Sequence, residues 1–343
     1  MRKLKKLKKG DKVAILSPSF GAPGTWPHMY QLGLKRLRDV FGLEPVEFPT
    51  TRQIGASVKA RADDLVAAFE DQSIKAVIAS IGGDDQVTYI KHLPHEPFIR
   101  NPKPFFGFSD NTHFANFLWL NDISSYYGGA LFTQFAVQGE MDEYTIRYLH
   151  YALFEDGERE LVAATEFNDI ELDWDDPKTL NQRRTYEPND SLLWDGEGSA
   201  RGLTWGGCLE SIDDILRHDI CLPTLEQFEN VILITETSEE IPTPNYVFRV
   251  YRALGERGIL ERIRGVLVGR PKAWGFDKPL YSKARKIYRQ EQNSVILSVV
   301  RQYNKDIPIV QNMDFGHTNP QIPMPYGANL RIDADNRKIF ASF

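Results

Sequence analysis

The sequence is poor in cysteine. Cys208 and Cys221 are the only two in 343 residues, which excludes a disulfide framework and a cysteine-ligated zinc site. It also lacks surplus positive charge: 41 Lys and Arg against 47 Asp and Glu leave a net charge of −6. A nucleic-acid-binding protein normally carries a basic face, so no nucleic-acid partner is expected. No run reaches the ~18 apolar residues that a membrane-spanning helix needs. The basic cluster Arg2-Lys3-Leu4-Lys5-Lys6-Leu7-Lys8-Lys9 could open a secretory signal, but Gly10-Asp11-Lys12 stands where its apolar core belongs. A cytoplasmic protein is the expectation. Neither G-x-G-x-x-G nor G-x-x-x-x-G-K-[ST] occurs, so dinucleotide and P-loop sites have no support.

What is present is alternation. Val13-Ala14-Ile15-Leu16 is a short apolar strand closed by Ser17-Pro18-Ser19, and residues 29–41 carry a helical pattern. A second strand at 45–48 precedes a helix over 57–71. Ala76-Val77-Ile78-Ala79-Ser80-Ile81 is a buried strand ending in Gly82-Gly83-Asp84-Asp85, with a helix expected from there to His92. Strands alternating with helices predict an α/β fold with a largely parallel sheet, whose ligands bind beyond the carboxyl ends of the strands. From 165 to 199 the chain turns acidic and aromatic without a clear period, which predicts a long connection. The second half repeats the alternation: strands at 230–236, 265–269 and 307–311, helices to about 218, over 247–257 and over 282–303, and a hairpin around Asp335-Asn336. The expected division is therefore 1–165, 166–199 and 200–343.

The chemistry-bearing stretch is Pro104-Phe105-Phe106-Gly107-Phe108-Ser109-Asp110-Asn111. A serine on a sharp turn between strand and helix exposes its hydroxyl beside free backbone N–H groups, as a nucleophile requires. The second glycine of G-x-S-x-G is absent, since position 111 is Asn, and Ser109 or Asp110 would also serve as an N-cap. Gly82-Gly83 reads either as a plain turn or as a place where the backbone approaches a substrate. Asp84 and Asp85 would cap the next helix. Glu236 closes a buried strand and faces inward, whereas Glu239 and Glu240 read as solvated loop residues. His317 follows a strand and a glycine. The other six histidines, among them His28 and His113, have no special neighbours in the sequence. Ser109, Glu236 and His317 each follow a strand, so a hydrolase triad is possible, with His as base and Glu fixing its tautomer. Trp174 either packs on the sheet or stacks on a planar ligand group.

The segments Phe106-Gly107-Phe108-Ser109-Asp110, Ile81-Gly82-Gly83, Trp205-Gly206-Gly207, Leu233-Ile234-Thr235-Glu236 and Asp314-Phe315-Gly316-His317-Thr318-Asn319-Pro320 resemble, in order, those of the LD-carboxypeptidase family of serine peptidases. The likeness runs from Gly10-Asp11-Lys12-Val13 to the final hairpin. It implies a flavodoxin-like N-terminal domain, a smaller C-terminal α/β domain with the active site between them, a homodimer, and no metal or cofactor. The triad falls on Ser109, Glu236 and His317, and the oxyanion hole on the N–H groups of Gly83 and Asp110. The long insert with Leu172-Asp173-Trp174-Asp175 resembles the microcin C immunity branch, where loop tryptophans stack on the nucleotide base. That branch cuts an amide bond joining an amino acid or peptide to a modified nucleotide. Phe167 and Asn168 stand where a companion tryptophan is expected, and Cys208 replaces the Asn usual after Gly-Gly. The implied activity is hydrolysis of an amide bond in a small, anionic, peptide-like substrate, conferring immunity or detoxification. Murein tetrapeptide cleavage in wall recycling is the alternative, and a non-catalytic ligand-binding protein is the reading from another class.

Overall fold

The computed structural model describes residues 1–2 and 4–343. Its strands are, in chain order, β1 (Lys12–Leu16), β2 (Glu44–Glu47), β3 (Ile74–Ala79), β4 (Phe105–Gly107), β5 (Ser125–Tyr127), β6 (Glu158–Glu160), β7 (Glu166–Phe167), β8 (Glu187–Pro188), β9 (Leu193–Asp195), β10 (Ser199–Cys208), β11 (Val231–Glu236), β12 (Gly265–Gly269), β13 (Ile309–Met313), β14 (Met324–Tyr326), β15 (Asn329–Asp333) and β16 (Lys338–Ser342). The first sheet has the order β14-β5-β4-β3-β1-β2. Strands β1 to β5 are parallel and β14 pairs antiparallel with β5. Without β14 this is the flavodoxin-like winding. Helices cover both faces, so β1 and β3 are apolar nearly throughout rather than alternating. The flanking helix Val58–Glu70 starts where Ser57 Oγ accepts the Ala60 N–H at 3.2 Å.

The second sheet runs β6-β16-β15-β10-β11-β12-β13-β9. Its central β10 to β13 are parallel and the outer strands antiparallel. Two α/β halves with their own sheets match the expected class, and the helix at 282–303 is found at Ser282–Tyr303. The chain also crosses between the halves: β6 adds to the C-terminal sheet and β14 to the N-terminal one.

Two expectations change. The helix predicted up to His92 is a pair of 3-10 turns, Gln86–Thr88 and Ile90–His92. The Gln86 N–H goes to the Asp110 carboxylate at 3.1 Å and its amide to Asn111 Oδ1 at 2.9 Å, so these groups hold the segment to the turn after β4. Asp85 does not cap it either, because its carboxylate pairs with Arg61. The stretch 166–199 is also structured. Strands β7 and β8 pair, and β9 joins the sheet edge against β13. Buried Asp169 is held by Arg285 and by Arg289 at 2.9 Å. The Phe167 ring lies under the guanidinium groups of Arg270 and Arg289, 4.5 and 4.9 Å from its centroid. Phe167 thus anchors the loop and is closed to any ligand.

Candidate active site

The strand β4 delivers Ser109 into the left-handed region, at φ +62°. An L-residue there costs about 1–2 kcal/mol, so the turn has to be held from outside. Tyr127 Oη accepts the Ser109 N–H at 3.2 Å, and the Ser109 carbonyl accepts from Thr112 Oγ1 at 2.7 Å. Neither Ser109 nor Asp110 caps the following helix Thr112–Leu120, whose N-cap is Asn111 without a side-chain bond. The N-cap reading therefore fails for both. The buried Asp110 carboxylate turns inward instead, accepting from Ser19 Oγ at 2.5 Å. Burial pushes its pKa up to about 6 against the lowering effect of these hydrogen bonds.

Gly82 and Gly83 stand over this turn. A Cβ at Gly82 would lie 2.9 Å from Ser109 Cβ and 3.1 Å from its Oγ; one at Gly83, where φ is +154°, would lie 2.1 Å from Ser19 Oγ. Only glycine allows that approach. Among the described residues the Gly83 and Asp110 N–H groups have no hydrogen-bond partner. Gly82 is close enough that its Cβ would also sit 3.3 Å from the Asp110 nitrogen.

Glu236 ends β11 with its carboxyl fully buried. One oxygen accepts His317 Nδ1–H at 2.6 Å and the other accepts the Tyr127 hydroxyl at 2.5 Å. Two glycines make room for it, since a Cβ at Gly316 would fall 2.5 Å from Glu236 Oε2 and one at Gly269 2.7 Å from its Cβ. The His317 ring packs edge-on against Phe108 at 4.8 Å. Its Nε2 faces Glu239 Oε2 at 3.1 Å. Burial lowers the His317 pKa, but the carboxylates of Glu236 and Glu239 outweigh it and leave the group well above its ordinary value. Glu239 is brought down to about 2: desolvation raises it, and the imidazolium more than reverses that. Glu239 was expected to be a plain solvated residue. It is exposed, at 59% of its side chain, yet its Oε2 forms an ion pair with the histidine.

Ser109, His317, Gly82, Gly83 and Trp174 all line one cavity of 570 Å³. Trp174 packs, though on residues outside the strands. It packs on Trp26 (5.2 Å) and Phe132 (5.6 Å) and still presents surface to the cavity. Its carbonyl bonds His28 Nε2 at 2.8 Å, so His28 has a role in holding the loop. Sequence reasoning missed Tyr127, Phe20, Trp26 and Phe276. A second tryptophan is present in the wall, but Trp26 supplies it from the first half. Among the other histidines, buried His113 lies 3.6 Å from Asp110, and burial depresses its pKa to about 4. Cys208 sits beside Glu236 in the β10–β11 register and donates its thiol to Glu210 Oε2 at 3.2 Å.

Residues 13–128 match the LD-carboxypeptidase N-terminal domain family, and residues 201–332 match the LD-carboxypeptidase C-terminal domain family. The chain belongs to the LD-carboxypeptidase family. It is accordingly a serine-type peptidase. A Bacillus subtilis relative with a carboxypeptidase name, YocD, is 26% identical over 338 residues, 96% of this chain and 95% of that one. The Escherichia coli microcin C7 self-immunity protein MccF is 23% identical over 337 residues, covering 96% and 92%. An MccF-like protein from Streptococcus pneumoniae, solved in complex with AMP, superposes with a TM-score of 0.84 at 27% identity, covering 97% and 98%.

Proposed function

We propose that this peptidase hydrolyses an amide bond in a small aminoacyl- or peptidyl-nucleotide, with Ser109 as nucleophile, His317 as general base and acid, and Glu236 as the group that orients the imidazole. The observation that carries this is the Glu236–His317 bond of 2.6 Å at the wall of the cavity onto which the strained Ser109 opens. In the first step the Ser109 hydroxyl proton passes to His317 Nε2 as Oγ bonds the carbonyl carbon. The N–H groups of Gly83 and Asp110 receive the developing oxyanion. His317 then gives the proton to the leaving nitrogen, the C–N bond breaks, and water repeats the sequence on the acyl-enzyme. Nothing in these steps calls for a metal or cofactor.

The nucleotide part of the proposal rests on the aromatic wall of Trp26, Trp174, Phe20 and Phe276, which suits a flat base. The MccF-like structure with AMP supports it by likeness. A solved structure of MccF holds aspartyl sulfamoyl adenosine in the same fold, with a TM-score of 0.85 at 22% identity over 99% of this chain and 98% of that one. Side-by-side assays of an aminoacyl-sulfamoyl adenosine and a murein tetrapeptide test the reading. Cleavage of the tetrapeptide alone defeats the nucleotide part. A Ser109→Ala variant that folds and still turns over defeats the mechanism.

A further inference from the structure

The cavity has a charge that the sequence did not suggest. Glu171, Asp173, Asp175 and Glu239 line it, and among the described residues no lysine or arginine does. Lys272 matches Glu171 at 2.7 Å. Asp173 accepts the Asp175 N–H at 2.8 Å and Asp175 accepts Trp26 Nε1–H at 2.7 Å, so their partners are neutral donors. Among the described residues neither has a cationic partner, and Glu236 and Glu239 share a single imidazole. The negative surplus stands beside Trp26, whose indole N–H edge Asp175 meets, and Trp174. An anionic acyl side chain placed here meets like charge. A cation meets carboxylates and aromatic rings together.

Glu239 has a second property. It occupies Nε2, the nitrogen to which the Ser109 proton has to pass. No hydrogen bond joins Ser109 Oγ to His317 among the described residues. As long as Glu239 holds that nitrogen, the base is engaged elsewhere.

Resting on the reading of Ser109, His317 and Glu236 given above, we infer that the acyl part of the substrate carries a side-chain ammonium or guanidinium, which takes Glu239 as its partner, so that Nε2 gives up its proton to water and His317 is free to act as base toward Ser109. The α-ammonium of an aminoacyl group matches only one carboxylate, and the surplus at Asp173, Asp175 and Glu239 exceeds that. Glu239 is then a specificity-determining residue that couples substrate charge to release of the base. The small anionic substrate expected from sequence does not fit this cavity on its acyl side.

The test is kcat/KM for lysyl-, norleucyl- and glutamyl-sulfamoyl adenosine, which share the nucleotide and the α-ammonium. The lysyl compound is expected to exceed the norleucyl one by about tenfold, a sum of modest partly exposed pairings, and the glutamyl compound to be the poorest. In Glu239→Gln the lysyl-to-norleucyl ratio is expected to narrow. Taking the ratio within one enzyme cancels any general effect on His317. A glutamyl compound as good as the norleucyl one, a lysyl compound no better, or a ratio unmoved in Glu239→Gln overturns the inference while leaving the peptidase reading in place. If none of the three is cleaved although a fluorophosphonate labels Ser109, the nucleotide reading falls and this inference falls with it.

Discussion

Replacing Tyr127 with Phe removes one oxygen from the middle of the site. The Tyr127 ring is fully buried, in edge contact with Phe108 at 6.1 Å and Phe315 at 6.5 Å, and Phe keeps both contacts. Two bonds are lost. The hydroxyl donates to the buried Glu236 carboxylate at 2.5 Å and accepts the Ser109 N–H at 3.2 Å. A hydrogen bond to a charged group contributes about 1.5–3 kcal/mol and a neutral one about 0.5–1.5 kcal/mol, so Tyr127→Phe should cost about 2–4 kcal/mol of stability. The catalytic effect follows from the same two bonds. Glu236 keeps its hold on His317 but loses the donor that fixes its other oxygen, and Ser109 loses one support of its left-handed conformation. Turnover should therefore fall more than apparent substrate affinity does. Denaturant unfolding of the two proteins, with kcat and KM measured separately, reads both effects. A stability loss below about 0.5 kcal/mol, smaller than one ordinary hydrogen bond, would refute the accounting. An unchanged kcat in a destabilised protein would refute the claim that Tyr127 positions the site.

Other perturbations probe other parts of the geometry. In Glu239→Gln one of the two carboxylates that raise the His317 pKa is gone, so the acid limb of the pH–kcat/KM profile should move to lower pH; a limb that stays put refutes the electrostatic assignment. Gly82→Ala places a Cβ 2.9 Å from Ser109 Cβ, and displacing the nucleophile should lower kcat by about 10²-fold with the fold intact by circular dichroism; full activity would show that the turn has room. Asp110 has its pKa raised to about 6, so its folded form holds a proton that the unfolded chain releases between about 4 and 6, and stability falls as pH rises through that window. Asp110→Asn removes this liability, worth about 3 kcal/mol at ~1.4 kcal/mol per unit. Its stability relative to the parent should improve between pH 4 and pH 7.5, and a pH-independent difference would contradict the raised pKa.

The legible parts of this chain were those whose signal is local. The apolar runs at β1, β3, β4, β11 and β12 each stand next to a turn or a glycine, which is enough to place Ser109, Glu236 and the Gly82-Gly83 turn at strand ends. The short pairings were not legible. Strands β5 and β14 have three residues each and show no usable period, and both owe their existence to partners far away in sequence. Tyr127 ends one of these strands, so its bond to Glu236, 109 positions on, could not be inferred. Glu239 shows the same limit from another side. Its composition and position describe an exposed loop acid, which it is, and only the folded loop after β13 reveals that His317 reaches it. The one local rule that misled was capping: Asp85 and Asp110 sit where caps belong, but longer-range partners, Arg61 for one and Ser19 for the other, take their carboxylates.

These pairings also bear on how a substrate gets in. With Ser109 after a strand of one sheet, and Glu236 at the end of a strand and His317 after a strand of the other, hinge opening between the halves would be the obvious route. The connectivity argues against it. Strand β14 lies beyond His317 in the chain yet is hydrogen-bonded into the first sheet beside β5, and Thr204 of the second sheet donates to the Pro325 carbonyl at 2.5 Å. Opening the halves would have to break that pairing, together with the buried Trp205 Nε1–Asn116 bond of 2.8 Å and the Tyr127–Glu236 bond. Each is a buried hydrogen bond whose loss leaves polar groups unsatisfied, at about 1–3 kcal/mol apiece. The wall that carries Trp174 is held differently. Its exposed neighbours Asp173 and Asp175 bond to a backbone N–H and to Trp26, and Phe276 stands opposite with more than half its surface in solvent. Moving this wall breaks bonds at the rim, Trp26 to Asp175 and His28 to the Trp174 carbonyl among them, and leaves the Glu236–His317 pair in place. Access through the aromatic rim therefore leaves the buried bonds between the sheets intact, and it brings an incoming cation past Asp173 and Asp175 to Glu239.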